Sequence, residues 1–356
     1  MKILHVFGKM DRGGAELRTI ELIKQFPKEY EFHFCCLSGE KGTLDDELIN
    51  MGCKLHYIKF GNLKFAKKFK KLMEKEKYDV VHSHVLFVSG YINFIATLSK
   101  VRGRISHFRT SKDIKENNSQ MRRFRNKILK YMIEKYSTDI LYVSYTAMNS
   151  IYPVKKNLEK HKVIYNGFLQ RSKKDIGKTS NSFVCVGRFI ESKNQTFLLN
   201  VLKLLNEKYH RIIFITFVGK NDTEYGNKFK KQCKNLNLTN QVKVVGEVDN
   251  VNSFLEKSEY FLFPSKLEGL PGSLIEAHMN NCKIFSSNIK ENIEVNNFYK
   301  DTSQSLELSD ELWANKIYES MNEKDILVDN TEINKIFSIE ESYISLKNIY
   351  DKYSER

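Results

Sequence analysis

Short apolar runs alternate with amphipathic helical segments along most of the chain, and this alternation restricts the fold more than any other feature. Strands are predicted at residues 2–7, 31–37, 54–58, 80–83, 104–108, 140–144 and 163–165, and again at 183–186, 212–218, 242–245, 259–263 and 283–285. Because helices separate these apolar strands, each set is expected to form a parallel sheet covered on both faces. The sequence therefore predicts an α/β protein with two Rossmann-like domains that face each other across a cleft.

A polar segment, residues 171–182, separates the two sets of strands and is predicted to be a linker. It divides a first domain, residues 1–170, from a second domain, residues 183–336. The tail, residues 337–356, has helical periodicity. The apolar stretch at 80–98 carries several polar side chains, so it is predicted to be a strand plus a helix rather than a membrane span.

The basic charge of the chain lies entirely in its first half. Residues 1–170 hold 32 Lys and Arg against 17 Asp and Glu, whereas residues 171–356 hold 26 of each. One face of the first domain is therefore expected to meet an anionic partner. The six cysteines form no C-x-x-C pair, and the apolar run after Lys2 is too short for a secretory signal. Both observations favour reduced thiols and a cytoplasmic location.

Two glutamates, Glu268 and Glu276, follow a predicted strand of the second domain. A Pro-Ser step and a Gly-Leu-Pro-Gly turn place Glu268 in a loop and Glu276 about one turn into the next helix. This edge of an open α/β sheet is where ligands bind. The backbone N–H groups of Gly269 and Leu270 lie near a helix N-terminus, which suits an anion. The pattern predicts a surface that contacts a sugar, a diphosphate and a ribose.

Arg188 and Lys193 lie in the strand-to-helix loop that opens the second domain. Arginine can bind a diphosphate bidentately and lysine adds a point charge, so the pair could offset the charge of a leaving group without a metal. The alternative is a solvated basic loop. Gly13 and Gly14 open the first helix, where they permit close approach to a phosphate or serve only as a turn.

His82 and His84 share one face of a strand end, and His107 and Arg109 end another strand of the first domain. The histidine pair is interpreted as a core or acceptor-site pair, and a structural role for His107 stays open beside a catalytic one. The chain has no Asp-x-Asp, the usual handle for a metal-held nucleotide sugar, and no His/Cys/Asp/Glu cluster with suitable spacing. We therefore expect no metal and no cofactor.

Taken together, these motifs resemble the signature of glycosyltransferase family 4, whose members are retaining enzymes with the GT-B fold. The most specific part is Glu268-x7-Glu276 with its flanking residues. The other matching motifs follow the family order and are Gly13-Gly14-Ala15-Glu16, His82-Ser83-His84, Asn166-Gly167 and Gly187-Arg188 with Lys193-Asn194. The resemblance extends to about residue 295 and is nearest to bacterial enzymes of capsular, exopolysaccharide or related surface-glycan assembly.

The resemblance implies a metal-independent hexosyltransferase that uses a nucleotide sugar, a UDP-sugar, and retains the anomeric configuration. Arg188 and Lys193 would hold the donor diphosphate, and Glu276 would bind the ribose hydroxyls. Glu268 would contact the transferred sugar. The remaining implied donor contacts are the N–H groups of Gly269 and Leu270 and, from the first domain, Gly13 and Gly14. The departing phosphate would accept the acceptor proton, and the C-terminal helix would cross back to the first domain.

The chain departs from the family pattern at the end of the strand predicted at 104–108. Relatives often carry a His-Ser-His-type string there, whereas this chain has His107-Phe108-Arg109. His107 and Arg109 are therefore both candidates for the catalytic contact with the sugar, with His82 and His84 on the acceptor side.

Acceptors in such pathways are glycans, often carried on polyprenyl diphosphates, so the basic half predicts peripheral association with the anionic inner face of the plasma membrane. Two predicted helices combine cations with aromatic residues. Their cations are Lys64, Lys67, Lys68, Lys70 and Lys71, and Arg122, Arg123, Arg125, Lys127 and Lys130, interleaved with Phe65, Phe69, Phe124 and Tyr131. The alternative for each is a solvated helix face. Nucleic-acid binding is not expected, because no motif for it is evident.

Two other functions fit the same fold. One is a GT-B sugar-nucleotide epimerase, and the other is a non-catalytic GT-B partner subunit. The intact set of donor-site residues argues against the partner subunit.

Overall fold

The computed structural model describes residues 1–61, 64–111, 120–153, 158–169, 177–323 and 330–354. The chain divides into two compact units. Unit 1 comprises Met1–Leu169 and Phe337–Arg356, and unit 2 comprises Gln170–Ile336. Each unit is built around one parallel sheet with helices on its faces, as in a Rossmann-like domain.

Unit 1 contains a seven-stranded parallel sheet in the order β3-β2-β1-β4-β5-β6-β7. Its strands are β1 (Lys2–Phe7), β2 (Glu31–Cys36), β3 (Lys54–Tyr57), β4 (Val80–Ser83), β5 (Gly103–Phe108), β6 (Asp139–Tyr142) and β7 (His161–Val163). Its first helices are α1 (Gly14–Ile23), α2 (Asp45–Asn50), α3 (Phe65–Glu76), α4 (Ser89–Leu98), α5 (Gln120–Tyr136) and α6 (Tyr145–Ile151). The strand order reverses at β1, so the loops after β1 and β4 lie at the switch point of the sheet.

Unit 2 contains a six-stranded parallel sheet in the order β10-β9-β8-β11-β12-β13. Its strands are β8 (Thr179–Val186), β9 (Phe214–Val218), β10 (Val242–Gly246), β11 (Ser258–Phe263), β12 (Lys283–Ser287) and β13 (Ser303–Leu306). Its helices are α7 (Gln195–Tyr209), α8 (Glu224–Asn235), α9 (Asn252–Leu255), α10 (Gly272–Met279), α11 (Lys290–Asn296), α12 (Asp310–Met321) and α13 (Thr331–Ile336). The order reverses at β8, so the loops after β8 and β11 meet at this switch point.

The last helix, α14 (Ile339–Asp351), belongs to unit 1. Ser338 caps its N-terminus by accepting a hydrogen bond from the backbone N–H of Glu341 at 3.1 Å. Its buried face, which includes Leu346, Ile349 and Tyr350, joins the core formed by α1 and one face of the sheet. The tail is therefore part of the hydrophobic core of unit 1.

The start of the tail is held by a short parallel backbone pairing. The N–H of Phe168 donates to Phe337 O at 2.8 Å, and the N–H of Ile339 donates to Phe168 O at 3.0 Å. Gly167 makes this approach feasible, because a Cβ there would lie 2.4 Å from Ile339 Cα. Close packing against the tail therefore explains why the Asn166-Gly167 motif has a glycine at position 167.

Several predicted segments need correction. β8 begins at Thr179, inside the predicted linker at 171–182, and residues 171–176 lie outside the described residues. β7 lies at His161–Val163 rather than 163–165, and β13 was not predicted because its Ser-Gln-Ser-Leu sequence is too polar to read as a buried strand. The residue Leu63, predicted to open a helix, is also outside the described part.

The stretch at 80–98 forms β4, a short 3₁₀ turn and α4, as predicted. Among the helices that the structure describes, none has both the length and the apolar character needed to cross a bilayer.

Candidate active site

The loop after β8, residues 187–194, is fixed by hydrogen bonds from its surroundings. The Gln195 side-chain amide donates to the carbonyls of Gly187 and Arg188 at 3.2 and 3.0 Å. The N–H of Phe189 donates to Lys220 O at 2.9 Å, and the Phe189 ring is buried. The Arg188 side chain, between these anchored positions, is exposed. A rigid loop therefore presents an exposed guanidinium at the switch point of unit 2.

Lys193 and Glu268 form an ion pair at the carboxyl ends of β8 and β11. Lys193 Nζ lies 2.5 Å from Glu268 Oε1, and the two side chains are 21% and 9% exposed. The ammonium also lies 5.0 Å from the centroid of the Phe263 ring, so its position is set on two sides. The structure thus brings together two residues that are 75 positions apart in the chain.

The loop after β11, residues 264–271, is tied to the loop after β8. The N–H of Lys266 donates to Ser192 O at 2.7 Å, and Pro264 and Ser265 are buried. Gly269 and Leu270 are half-buried in this loop. Glu276 is the fifth residue of α10 and is half-buried, so it lies about one turn into the helix, as predicted. The structure therefore places all the predicted donor-side residues of unit 2 on the loop after β8, the loop after β11 and helix α10.

In unit 1, Gly13 and Gly14 lie at the start of α1, directly after the loop that follows β1. The Gly13 carbonyl accepts the first hydrogen bond of the helix, from Leu17 N at 3.0 Å. A Cβ at Gly14 would meet no other atom of the described chain within 4 Å. The helix start at the switch point of unit 1 is therefore open at Gly14 for a ligand to approach.

His82, His84 and His107 lie together on the face of the unit 1 sheet that α1 and α14 cover. His5 pairs with His82 across β1 and β4, and Ser83 pairs with Ser106 across β4 and β5. Since side chains alternate along strands, this register puts all four imidazoles on one face. The rings of His82 and His84 stack at 4.2 Å, and those of His82 and His107 at 5.2 Å.

Arg109 is half-buried beside these histidines, and each of its three guanidinium nitrogens donates a hydrogen bond. Nε donates to His84 Nδ1 at 3.3 Å, one terminal nitrogen donates to Thr19 Oγ1 at 3.2 Å, and the other donates to Asn166 Oδ1. The Asn166-Gly167 motif therefore orients Arg109 as well as the tail. Burial lowers the pKa of Arg109 to about 10, so it is still a cation at neutral pH.

The histidines of this cluster are neutral at pH 7. Burial, followed by the charge of Arg109, lowers the pKa of His5 to about 3. Burial also brings the pKa values of His82, His84 and His107 well below the usual range for histidine, and nearby histidines and Arg109 add to the effect.

The nitrogens of His5, His82 and His84 approach within 4.8 Å of one another, which is close enough to suggest a metal site. Two observations oppose a cation there. His5 Nδ1 and His84 Nε2 are hydrogen-bonded to each other at 3.0 Å, and the Arg109 guanidinium already donates to the other nitrogen of His84. A metal ion would lose these bonds and lie beside a fixed positive charge.

Two members of this cluster were not identified from the sequence. His5 lies within β1, and the signal that could have identified it is a histidine flanked on both sides by apolar residues of the strand. Tyr350 lies in α14 and its hydroxyl is 2.6 Å from His82 Nδ1. No sequence spacing links these residues, because Tyr350 and His5 are 345 positions apart.

Comparison with known proteins decides the family. A family model described as "Glycosyltransferase Family 4" matches residues 12–168, and one described as "Glycosyl transferases group 1" matches residues 168–328. The chain is 48% identical to the capsular polysaccharide biosynthesis glycosyltransferase CapH of Staphylococcus aureus over 98% of both chains. The chain belongs to glycosyltransferase family 4. The resemblance predicted from the motifs is therefore confirmed.

Other similar proteins are more distant. The chain is 27% identical to the Escherichia coli UDP-Gal:alpha-D-GlcNAc-diphosphoundecaprenol alpha-1,3-galactosyltransferase, over 82% of this chain and 80% of that one. Among solved structures, Anabaena HepE in complex with UDP superposes with a TM-score of 0.79 at 15% identity, covering 99% of this chain and 100% of that one. The protein therefore has the predicted GT-B type of fold, with two Rossmann-like domains.

Proposed function

We propose that this glycosyltransferase moves a hexosyl residue from a UDP-sugar to a glycan carried on a polyprenyl diphosphate, in capsular polysaccharide assembly. The CapH relative supports the pathway by its name, and the E. coli relative is named for a UDP-sugar donor and a diphosphoundecaprenol-linked acceptor. The UDP bound to HepE supports the same nucleotide.

The observation that carries the proposal is the Lys193–Glu268 pair at the switch point of unit 2. Its ammonium, together with the exposed guanidinium of Arg188, supplies two positive charges to the donor diphosphate. As the bond to the sugar breaks, negative charge grows on the departing phosphate, and these cations stabilise it. No metal is needed in this scheme, since the protein provides the positive charge.

The two carboxylates bind different parts of the donor. Glu268, held by Lys193, accepts hydrogen bonds from hydroxyls of the transferred sugar, and Glu276 on α10 accepts them from the ribose. The N–H groups of Gly269 and Leu270 bind the phosphates in this proposal, and Gly13 and Gly14 are the further backbone contacts proposed for them. The acceptor hydroxyl attacks from the side on which the phosphate leaves, so the phosphate takes its proton and the anomeric configuration is retained.

The proposed chemistry is tested by product analysis with the purified protein. UDP-sugars are incubated with and without a synthetic polyprenyl-diphosphate glycan, with and without EDTA. We expect free UDP only when acceptor is present, an unchanged rate in EDTA, and a new glycosidic bond with the anomeric configuration of the donor. Release of an isomerised UDP-sugar without acceptor would instead indicate an epimerase.

We also propose that α5 places the protein on the anionic inner face of the plasma membrane. Four large apolar side chains on this helix are exposed, namely Met121, Phe124, Ile128 and Tyr131, at 82%, 68%, 47% and 62%. Their spacing of three, four and three residues puts them on one helix face. Cations on the same helix are also exposed, namely Arg123, Arg125, Lys127 and Lys135.

The other predicted membrane helix, α3, lacks this surface. Its aromatic residues, Phe65 and Phe69, are buried in the core with Met73, and the exposed residues of this helix include lysines but no aromatic side chain. Phe65 and Phe69 alternate with lysines in the sequence, but in the structure they lie on the buried side of the helix, so they are not part of a membrane surface. Helical periodicity accounts for this arrangement, because residues 65, 69 and 73 share the face that packs on the sheet.

A further inference from the structure

Four histidines, of which three are buried and His84 is half-buried, form one continuous series of hydrogen bonds with Tyr350 and Arg109 in unit 1. Arg109 donates to His84 at 3.3 Å, and His84 Nε2 lies 3.0 Å from His5 Nδ1. His5 Nε2 is 3.5 Å from the Tyr350 hydroxyl, which is 2.6 Å from His82 Nδ1. His82 Nε2 is 3.0 Å from His107 Nδ1.

The direction of the first two bonds is set by Arg109. A guanidinium has only N–H donors, so His84 Nδ1 must accept. A neutral imidazole carries one proton, and for His84 this proton is therefore on Nε2. His84 donates it to His5 Nδ1, which leaves the proton of His5 on Nε2.

Tyr350 determines the direction of the hydrogen bonds of His82 and His107. The His5 Nε2–H is directed at the Tyr350 hydroxyl oxygen, so a hydroxyl hydrogen turned toward His5 would meet another hydrogen. Tyr350 therefore donates to His82 Nδ1, and His82 carries its proton on Nε2. His82 in turn donates to His107 Nδ1, which places the proton of His107 on Nε2.

His107 Nε2 is buried and has no hydrogen-bond partner among the residues that the structure describes. We infer that Arg109 and Tyr350 are positioning residues that fix the tautomers of four histidines and so make His107 a hydrogen-bond donor through Nε2. In this role His107 donates a hydrogen bond to an oxygen of the substrate and does not serve as a general base. The substrate part of this inference rests on the proposed function, whereas the tautomers do not.

This inference also separates the two candidates at the end of β5. Every guanidinium nitrogen of Arg109 donates to a protein acceptor, namely His84, Thr19 or Asn166. The C-terminal helix enters the site through Tyr350, although that residue lies far from the family motifs in the sequence. Its contribution is the direction of a hydrogen bond rather than contact with the substrate.

The tautomers can be read by nitrogen NMR of the ligand-free full chain with ¹⁵N-labelled histidine, assigned through single His→Gln variants. We expect His5, His82, His84 and His107 to be neutral at pH 7 with the proton on Nε2. In Tyr350→Phe the bond between His82 and His107 loses its direction, so the Nε2–H population of His107 should fall. Tyr343→Phe, on the same helix, is the control and should leave all four signals in place.

The result that overturns the inference is a proton on Nδ1 of any of the four histidines in the wild-type chain, or an unchanged His107 signal in Tyr350→Phe. A second measurement uses transfer from the preferred UDP-sugar, for which kcat/KM should fall about tenfold in Tyr350→Phe and not in Tyr343→Phe. If the tautomers are as inferred but neither the wild-type protein nor any variant transfers a sugar, the inference on the tautomers is supported and the proposed function fails.

Discussion

At the scale of single residues, Arg188 and Arg109 have opposite surroundings. Arg188 is exposed on a loop whose backbone is held by Gln195. Arg109 is half-buried and donates from all three nitrogens to protein acceptors. An exposed guanidinium on a rigid loop can bind a diphosphate bidentately, whereas a guanidinium already engaged with the protein serves to orient its neighbours.

The first prediction concerns the donor site. Arg188→Ala and Glu276→Ala should each lower kcat/KM for the UDP-sugar by about 100-fold, because each removes a charged contact that stabilises the bound donor or the developing charge. Steady-state kinetics with the preferred donor measures the effect, and thermal unfolding checks the fold.

Two variants on α7 serve as matched controls. Lys203 and Glu207 are exposed, and they carry the same charges as Arg188 and Glu276, respectively. Lys203→Ala and Glu207→Ala should keep wild-type turnover. Wild-type turnover in Arg188→Ala or Glu276→Ala as well would rule out the proposed donor contacts.

The local structure around some candidate residues could be predicted from the sequence, whereas the contacts of others could not. Glu268 and Glu276 were placed correctly because a buried strand followed by Pro, Gly and Pro leaves few local structures. The contact between Glu268 and Lys193 follows from the order of the strands, since β8 and β11 are neighbours. Tyr350 could not be predicted, because its contact with His82 depends on where the tail helix docks.

At the scale of secondary-structure elements, α5 differs from α3 in what it exposes. α5 exposes Phe124 and Tyr131 among its cations, whereas the aromatic residues of α3 are in the core. Each cation near an anionic bilayer contributes about 1 kcal/mol, and burial of a large apolar side chain contributes roughly 1.5–3 kcal/mol. Only α5 offers both contributions.

The second prediction tests this surface with liposomes that contain anionic lipid. The double variant Phe124→Ser and Tyr131→Ser should bind at least ten-fold more weakly than wild type in a sedimentation assay, because it loses the apolar contacts. Wild-type binding should fall as salt increases. Ile212→Ser, at an equally exposed apolar position of unit 2, is the control and should bind like wild type. Binding that is insensitive to both the double variant and salt would refute the role of α5.

The third prediction concerns the junction that holds α14. Gly167→Ala should destabilise the protein by about 2–3 kcal/mol, because the new Cβ would lie 2.4 Å from Ile339 Cα and force the tail away. Urea unfolding measures the loss. Gly177→Ala is the control, since a Cβ there would meet no other described atom within 4 Å. Equal stabilities for the two variants would show that the junction tolerates a side chain.

At the scale of the whole molecule, the buried histidines make stability depend on pH. Burial lowers the pKa of His5 to about 3 and that of His278, in unit 2, to about 4. Both values lie below that of an unfolded chain, so the unfolded state binds protons first as the pH falls. The stability that these neutral histidines support is present above pH 6.5 and is lost as the solution becomes more acidic.

The fourth prediction is the amount of unfolding free energy that is lost as the pH falls. Between pH 7 and pH 5, His5 alone should cost about 2 kcal/mol of unfolding free energy. Burial also lowers the pKa values of His82, His107 and His278, so these histidines act in the same direction. Urea unfolding at pH 7, 6 and 5 measures the slope, which should be shallower in His5→Gln. A stability that does not change from pH 7 to pH 5 would contradict the prediction.

Most of the architecture was predictable because it depends on local pattern. The apolar strands and amphipathic helices indicated two parallel sheets, and both are present. The failures occurred where the pattern is weak. β13 has too few apolar residues to be identified, and β8 extends into a polar segment that had the composition of a linker. Pairing with β12 and β11 stabilises these polar strands, and strand pairing is invisible in a single sequence.

The place of α14 in unit 1 also has a consequence during synthesis of the chain. Unit 2 is continuous in sequence, whereas unit 1 needs both its first 169 residues and the tail that follows unit 2. A ribosome must add about 180 residues between Leu169 and Tyr350, which takes roughly 10–40 s at ordinary elongation rates. For that interval the nascent first sheet stands without the helix that supplies Tyr350, while the later-made second sheet can already finish folding.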